Sequence, residues 1–215
     1  MVFEDFKQIV LAEFPDMTAS QLSRFRDMEA LYREWNARIN VISRKDIDGF
    51  YEHHVLHSLG IASYWYREGL VLPEGTVLDL GTGGGFPGIP LAVMFPQMHF
   101  TLCDSIGKKI LVAGEVSKSL GLENVCTVNA RAESLSGPFD YVVSRAVTSL
   151  DNFYPWVKGK FDKGVFYLKG GDINPEIASM MQHERMKKGS VRTWRLDSWL
   201  RDEYFNEKYV IHIEK

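Results

Sequence analysis

The residues best placed by type and spacing to do chemistry begin at "VLDLGTGGGFPGIP", positions 77–90, where five glycines and two prolines follow a short apolar run carrying one aspartate. A G-x-G-x-x-G match falls on Gly83, Gly85 and Gly88, the spacing that cradles a dinucleotide pyrophosphate. Neither register of the loop fits that role. A dinucleotide loop starts where the strand stops, and the strand is expected to end at Leu80; read from Gly81, Phe86 stands where the third glycine belongs. Read from Gly83, the match leaves two residues after the strand and sets Pro87 between its glycines. Asp79 argues further against a pyrophosphate, because a carboxylate beside that cradle repels it. S-adenosylmethionine has no phosphate; it carries a sulfonium, an ammonium and a carboxylate. Asp79 suits its cationic groups, and Gly81 and Gly83 let the backbone approach closely. The competing role for Asp79 is to cap a turn or helix.

Later strand tips carry compatible residues. Asp104 ends "FTLCD", where an acid accepts hydrogen bonds from ribose hydroxyls or caps the next helix. In "NARAESL", Ala132 and Glu133 offer a backbone amide and a side chain to a base. The fourth tip reads Ser144-Arg145-Ala146. It has no Asn/Asp-Pro-Pro-aromatic tetrad for amino methylation. It also has no cysteine nucleophile for pyrimidine C5 chemistry, since Cys103 and Cys126 fall on the second and third strands. An acceptor with a free lone pair, such as guanine N7, needs none of these, only proximity and in-line geometry. Arg145 then orients the methionine end of the cofactor, a substrate phosphate or the guanine O6/N7 edge, or else pairs structurally with a carboxylate.

These residues need a parallel α/β sheet to bring them together. From Gly75 onward, β-branched runs at 76–80, 99–103, 125–129, 141–144 and 165–168 alternate with helical patterns at 89–94, 108–120 and 151–156. "VRTWRLDSWL" and "YFNEKYVIHIEK" read as two further strands with no clear helix between them, hence a hairpin and an antiparallel strand late in the sheet. The first ~60 residues read as helices. Thr18 and Gln21 form a capping box, Leu22, Phe25, Met28, Leu31, Tyr32 and Trp35 recur at helical spacing, and a short helix is expected over 47–59. The division expected is a helical region, 1–62, on a Rossmann-like domain, 63–215.

Hydrophobic content of 45%, 25% charge and a net charge of −3 describe an ordinary globular protein, not a polycation that coats nucleic acid. No apolar run approaches the ~18 residues of a membrane span. The acidic "MVFEDFKQIVLAEF" is not a secretory signal, and both cysteines are expected to be buried thiols, so a cytoplasmic protein is expected. His53 and His54 are adjacent and unsupported by a cysteine or carboxylate cluster, so no metal is expected.

In order, "WNARINVIS", "HHVLHSL", "VLDLGTGGGFPGIPLA", "DSIGKKI", "ARAESL", "SRAVTSL" and "LKGG" occur at matching separations from about Trp35 to Gly171. The series resembles the bacterial 16S rRNA guanine-N7 methyltransferases, the glucose-inhibited division protein B family. The resemblance implies a Rossmann-like class I S-adenosylmethionine-dependent methyltransferase. Its seven-stranded sheet is mostly parallel with an antiparallel last strand, and N-terminal helices are added. It implies N7 methylation of one guanine in the 530 loop, with S-adenosylhomocysteine as product. The partner implied is 16S rRNA, within a small subunit or an assembly intermediate, bound by a monomer without membrane association. Cofactor contacts carry over to Gly81, Phe86, Ala132, Glu133 and Arg145, with Asp104 at the ribose. Two departures stand out: His57 replaces an aspartate of the usual pattern, and Asn40-Val41-Ile42 stands for Asn-Leu-Thr. RNA contact falls to Arg185, Lys187, Lys188, Arg192 and Arg195, to Lys108 and Lys109, or to Arg38, Arg44 and Lys45, with a solvated exposed loop as the alternative for the first two groups.

Overall fold

The computed structural model describes residues 1–43 and 46–215. Seven strands form one sheet in the order β3-β2-β1-β4-β5-β7-β6. They are β1 Gly75–Leu80, β2 Met98–Asp104, β3 Val125–Asn129, β4 Phe139–Arg145, β5 Phe161–Gly170, β6 Val191–Arg195 and β7 Lys208–Glu214. β1 to β5 pair in parallel, and β7 inserts antiparallel between β5 and β6. The reversed strand and the missing α-helix between β6 and β7 follow the sequence reading. Only the turns Leu196–Ser198 and Glu203–Phe205 connect that pair.

Central strands are apolar on both faces because helices cover both. On one face, Val77, Phe100, Leu102, Tyr141, Val143 and Phe166 join α1 (Phe3–Glu13), α2 (Ala19–Arg38), α3 (His57–Arg67), α4 (Gly88–Met94) and α5 (Gly107–Ser119). On the other, the alternate residues Leu78, Leu80, Val142, Val165 and Tyr167 meet α6 (Leu150–Val157) and α7 (Asn174–His183). The period-two alternation of a strand thus divides one run of residues between two cores.

Several expectations change. The helix read over 47–59 is a 3₁₀ turn, Ile47–Gly49, a π-helical turn, Phe50–Leu56, and then α3, which continues to Arg67. Every residue of α3 from His57 to Trp65 is buried. The 62/63 boundary therefore falls inside a buried helix, and the N-terminal helices share one core with the sheet. The sequence reading missed α7, whose start carries Pro175, a residue that tolerates the first turn of a helix. Cys103 is buried, but Cys126 is exposed because β3 is an edge strand with helix cover on only part of its surface. Among the described residues, no helix is long and apolar enough to cross a membrane.

His212 of β7 is buried against Phe166, the ring centroids 4.5 Å apart, with its Nδ1 3.1 Å from the Tyr64 hydroxyl. Burial pulls its pKa down to about 4. Below the ordinary histidine range the unfolded chain takes up a proton that the folded chain refuses, so this contribution to stability is present above pH ~6.5 and is lost as pH falls toward 4. Denaturant unfolding of wild type is expected to weaken over that window. His212→Phe should show a shallower fall, and equal slopes would refute the assignment.

Candidate active site

The loop after β1 is organised by Asp79. Its buried Oδ2 accepts 2.6 Å from the Thr82 hydroxyl and 2.7 Å from the Gly88 amide, tying the end of β1 to the start of α4. Only glycine fits at 88: an added Cβ would lie 2.2 Å from Leu102 Cδ2 and 2.6 Å from Asp79 Oδ2. Gly81 has φ +72°, and an added Cβ there would strike Val147 at 2.5 Å. The turn capped by Asp79 is therefore the alternative of the sequence reading that the geometry supports. Burial pushes this carboxyl up to about 7, against the hydrogen bonds from Thr82 and Gly88.

The N-terminal segment braces the same loop. The Tyr32 hydroxyl donates to Gly84 O at 2.7 Å. Asn36 Oδ1 accepts from Val41 N and Ile42 N while its Nδ2 donates to Ile42 O, which sets Val41 against Gly84. "WNARINVIS" thus shapes the glycine loop. Tyr32→Phe would leave the Gly84 carbonyl without its partner. The expected cost is about 1–3 kcal/mol, a Tm fall of roughly 2–12 °C, with faster hydrogen exchange at the loop amides. Unchanged exchange would show that the brace is dispensable.

A cavity of about 420 Å³ opens at the carboxyl ends of β1, β2, β3 and β4. Among the residues read from the sequence, Gly81, Asp104, Ala132, Glu133 and Arg145 line it, together with Ile106, Lys109 and Trp156. Asp79, Gly83 and Phe86 do not line it and stand behind its wall. Asp79 is buried beneath the loop. Gly83 N donates to Asp104 Oδ2 at 2.9 Å. Phe86 packs on Tyr32 and Phe50 and lies beneath the Arg145 guanidinium, 5.2 Å from ring centre to Cζ. Asp104 Oδ1 accepts from Ile106 N at 2.8 Å. Each oxygen of this carboxylate thus takes one backbone hydrogen bond, which orients it and leaves further lone pairs for a ligand.

At the tip of β4, Arg145 donates to His53 O at 3.2 Å and contacts His54 Nδ1 at 3.1 Å. Arginine has no acceptor, so His54 Nδ1 must accept. Burial, then Arg145, pulls His54 down to about 3; the ring is neutral and its proton sits on Nε2. Burial also holds His57 well below the ordinary range. The Tyr204 hydroxyl lies 3.4 Å from His57 Nδ1 and 3.3 Å from His53 O. The sequence reading did not assign His53, His54, His57 or Tyr204 to the site. Adjacent histidines do diverge on a helix, yet Arg145 reaches one through its carbonyl and the other through its ring. The three histidines of "HHVLHSL" were the available signal.

The C-terminal basic stretch is partly neutralised. Arg192 pairs with Glu68 and Glu214, and Arg195 with Asp197. Arg38 pairs with Glu34, and Arg44 and Lys45 lie outside the described residues. Lys109 lines the cavity, which Lys108 does not.

Among solved structures, magnesium protoporphyrin IX methyltransferase from Synechocystis PCC 6803, described with bound SAM, is similar with a TM-score of 0.60 at 15% identity. The match covers 88% of this chain and 98% of that one. This sheet order, with a glycine loop after β1 and an acid at the tip of β2, defines a class I methyltransferase fold. The family profile described as rRNA small subunit methyltransferase G matches residues 21–196. A protein of that name from Christiangramia forsetii is 45% identical over 93% of this chain and 93% of its own length. Another, from Bacteroides thetaiotaomicron, is 46% identical over 95% of this chain and 98% of its own. The chain belongs to the rRNA small subunit methyltransferase G family and is a methyltransferase of small-subunit rRNA.

Proposed function

We propose that this enzyme transfers the methyl group of S-adenosylmethionine to N7 of a guanine in the 530 loop of 16S rRNA, by direct in-line displacement without a covalent enzyme intermediate. The observation that carries the reading is the tip of β4. Arg145 and Ala146 line the cavity there, while Cys103 is buried with its thiol toward Ala130 O and Cys126 sits on the far edge strand. Neither thiol is at the tip to attack a base, and a guanine N7 needs no base to deprotonate it.

The cavity suits the cofactor on its own terms. Asp104 offers oriented lone pairs to ribose hydroxyls, and an added Cβ on Gly81 would narrow the wall where Val147 stands. Ala132 and Glu133 line the side expected to meet the adenine. When bound, S-adenosylmethionine supplies an electrophilic methyl on a sulfonium. The chain's part is to hold the acceptor in line and to exclude water, which is worth several orders of magnitude in rate. Arg145 is held by His53, His54 and Phe86, so its guanidinium presents fixed donors at the cavity wall.

The test uses purified protein, labelled S-adenosylmethionine and small subunits or rRNA from a strain lacking this methylation. Label should appear as 7-methylguanosine within the 530 loop. Label on another atom or another base would refute the N7 assignment, and 7-methylguanosine elsewhere would refute the loop. Calorimetry should show binding of S-adenosylmethionine and S-adenosylhomocysteine and none of NAD.

A further inference from the structure

A second cavity, of about 240 Å³, shares Arg145 and Ala146 with the first. Its other walls come from elements distant in sequence: Asp46 before the 3₁₀ turn, His53, His54 and His57, the ends Lys169 and Lys208 of β5 and β7, and Tyr204. None of these elements touches the first cavity apart from the shared ledge. Ala146 gives that ledge its shape. It adopts a left-handed φ of 45°, rare for a residue with a Cβ, with its amide bound to Leu168 O at 3.0 Å. A methyl donor in the first cavity and an acceptor in the second would meet at this ledge.

The chemistry of the second cavity is selective. Its buried imidazoles, His54 and His57, are neutral, so they bring no charge. The cations are Arg145, Lys169 and Lys208, and Lys169 is already committed to Glu176 at 2.6 Å. Asp46 is the single carboxylate of the lining, about half-exposed, with only the His53 ring within 3.4 Å as a side-chain ion-pair partner among the described residues. A carboxylate is an acceptor pair. Of the four RNA bases, only guanine presents two adjacent donors, N1–H and the N2 amino group, that a carboxylate can take together. The N7 edge lies elsewhere on the same ring, free to face the ledge. Methylation at N7 makes the ring cationic and N1–H more acidic, so the same carboxylate contact strengthens as the bond forms.

We propose that the second cavity seats the acceptor guanine, extruded from the RNA, with Asp46 accepting from N1–H and the N2 amino group while N7 faces the Arg145–Ala146 ledge. This rests on the guanine-N7 reading above. Lys208, with its ammonium 4.7 Å from the Tyr204 ring centre, supplies positive charge at the rim for a flanking phosphate.

The test compares small subunits carrying guanosine or inosine at the target, inosine lacking the N2 amino group. For wild type, inosine, which keeps N1–H and loses one of the two donors, should lower kcat/KM by roughly 12- to 150-fold, the value of one hydrogen bond to a charged group. Asp46→Ala and Asp46→Asn should lose at least that factor on guanosine and, with the carboxylate gone, discriminate little between guanosine and inosine, with unchanged S-adenosylmethionine affinity and Tm. Variants penalised by inosine as heavily as wild type, or a wild type indifferent to inosine, would overturn the assignment of Asp46 while leaving the N7 reading intact. Absence of 7-methylguanosine from wild type on the guanosine substrate would overturn both.

Discussion

Arg145→Ala is expected to abolish methyl transfer while the protein remains folded. The guanidinium lies on the wall common to both cavities, fixed by His53 O, His54 Nδ1 and the Phe86 ring. Removing one preorganised donor of this kind typically lowers kcat by about 10²–10³. The fold should survive because Arg145 is only partly buried and forms no part of either apolar core. Some stability is lost: His54 Nδ1 and His53 O lose a donor, a cost of about 1–3 kcal/mol, or roughly 2–12 °C in Tm. Arg145→Lys keeps the charge but not the planar fork, so it should restore little activity. Single-turnover methylation at saturating cofactor, read beside circular dichroism, separates the two effects. Wild-type turnover in Arg145→Ala would remove the residue from the reaction.

Asp104→Ala should weaken S-adenosylmethionine binding by about 10- to 100-fold, the value of hydrogen bonds to a charged group. Its carboxylate also holds Gly83 N and Ile106 N, so part of any loss would come from the loosened glycine loop. A deoxyribose analogue of S-adenosylhomocysteine separates the contributions. Wild type should bind it more weakly than the parent compound, whereas Asp104→Ala should bind the two alike. Unchanged affinity of the variant for the parent would refute the ribose contact.

Much of this site was legible in residue order because class I strand tips fall at predictable places along an alternating βα chain. Asp104, Ala132, Glu133 and Arg145 each end or follow a strand, and each lines the cavity. Asp79 was legible as an acid at the loop with two competing roles, and the sequence did not decide for the cap. Its orientation depends on the loop folding back until Gly88 N and Thr82 Oγ1 reach one oxygen, a closure set by glycine torsions. Phe86 shows the same limit. Its place in the register is clear from the sequence, but its ring turns into the aromatic cluster with Tyr32 and Phe50. Arg192 and Arg195 were legible as basic residues but not their pairing with Glu68, Glu214 and Asp197, because Glu68 and Glu214 lie on other elements, one of them far away in sequence.

By itself the sequence determined the sheet, the strand tips and the exclusion of a pyrophosphate loop, because alternation of β-branched and helical runs is a local property written residue by residue. It also determined the family, since its motifs follow one another in order along the chain. Only the tertiary structure decided that the N-terminal segment packs on the glycine loop and the tip of β4. Tyr32, Asn36 and the π-helical turn act on Gly84 and Arg145 across separations of about 50 to 90 residues. Such contacts have no signature in local spacing. They arise when one face of the sheet is buried beneath the N-terminal helices, which carry three histidines and an aspartate to the tip of β4.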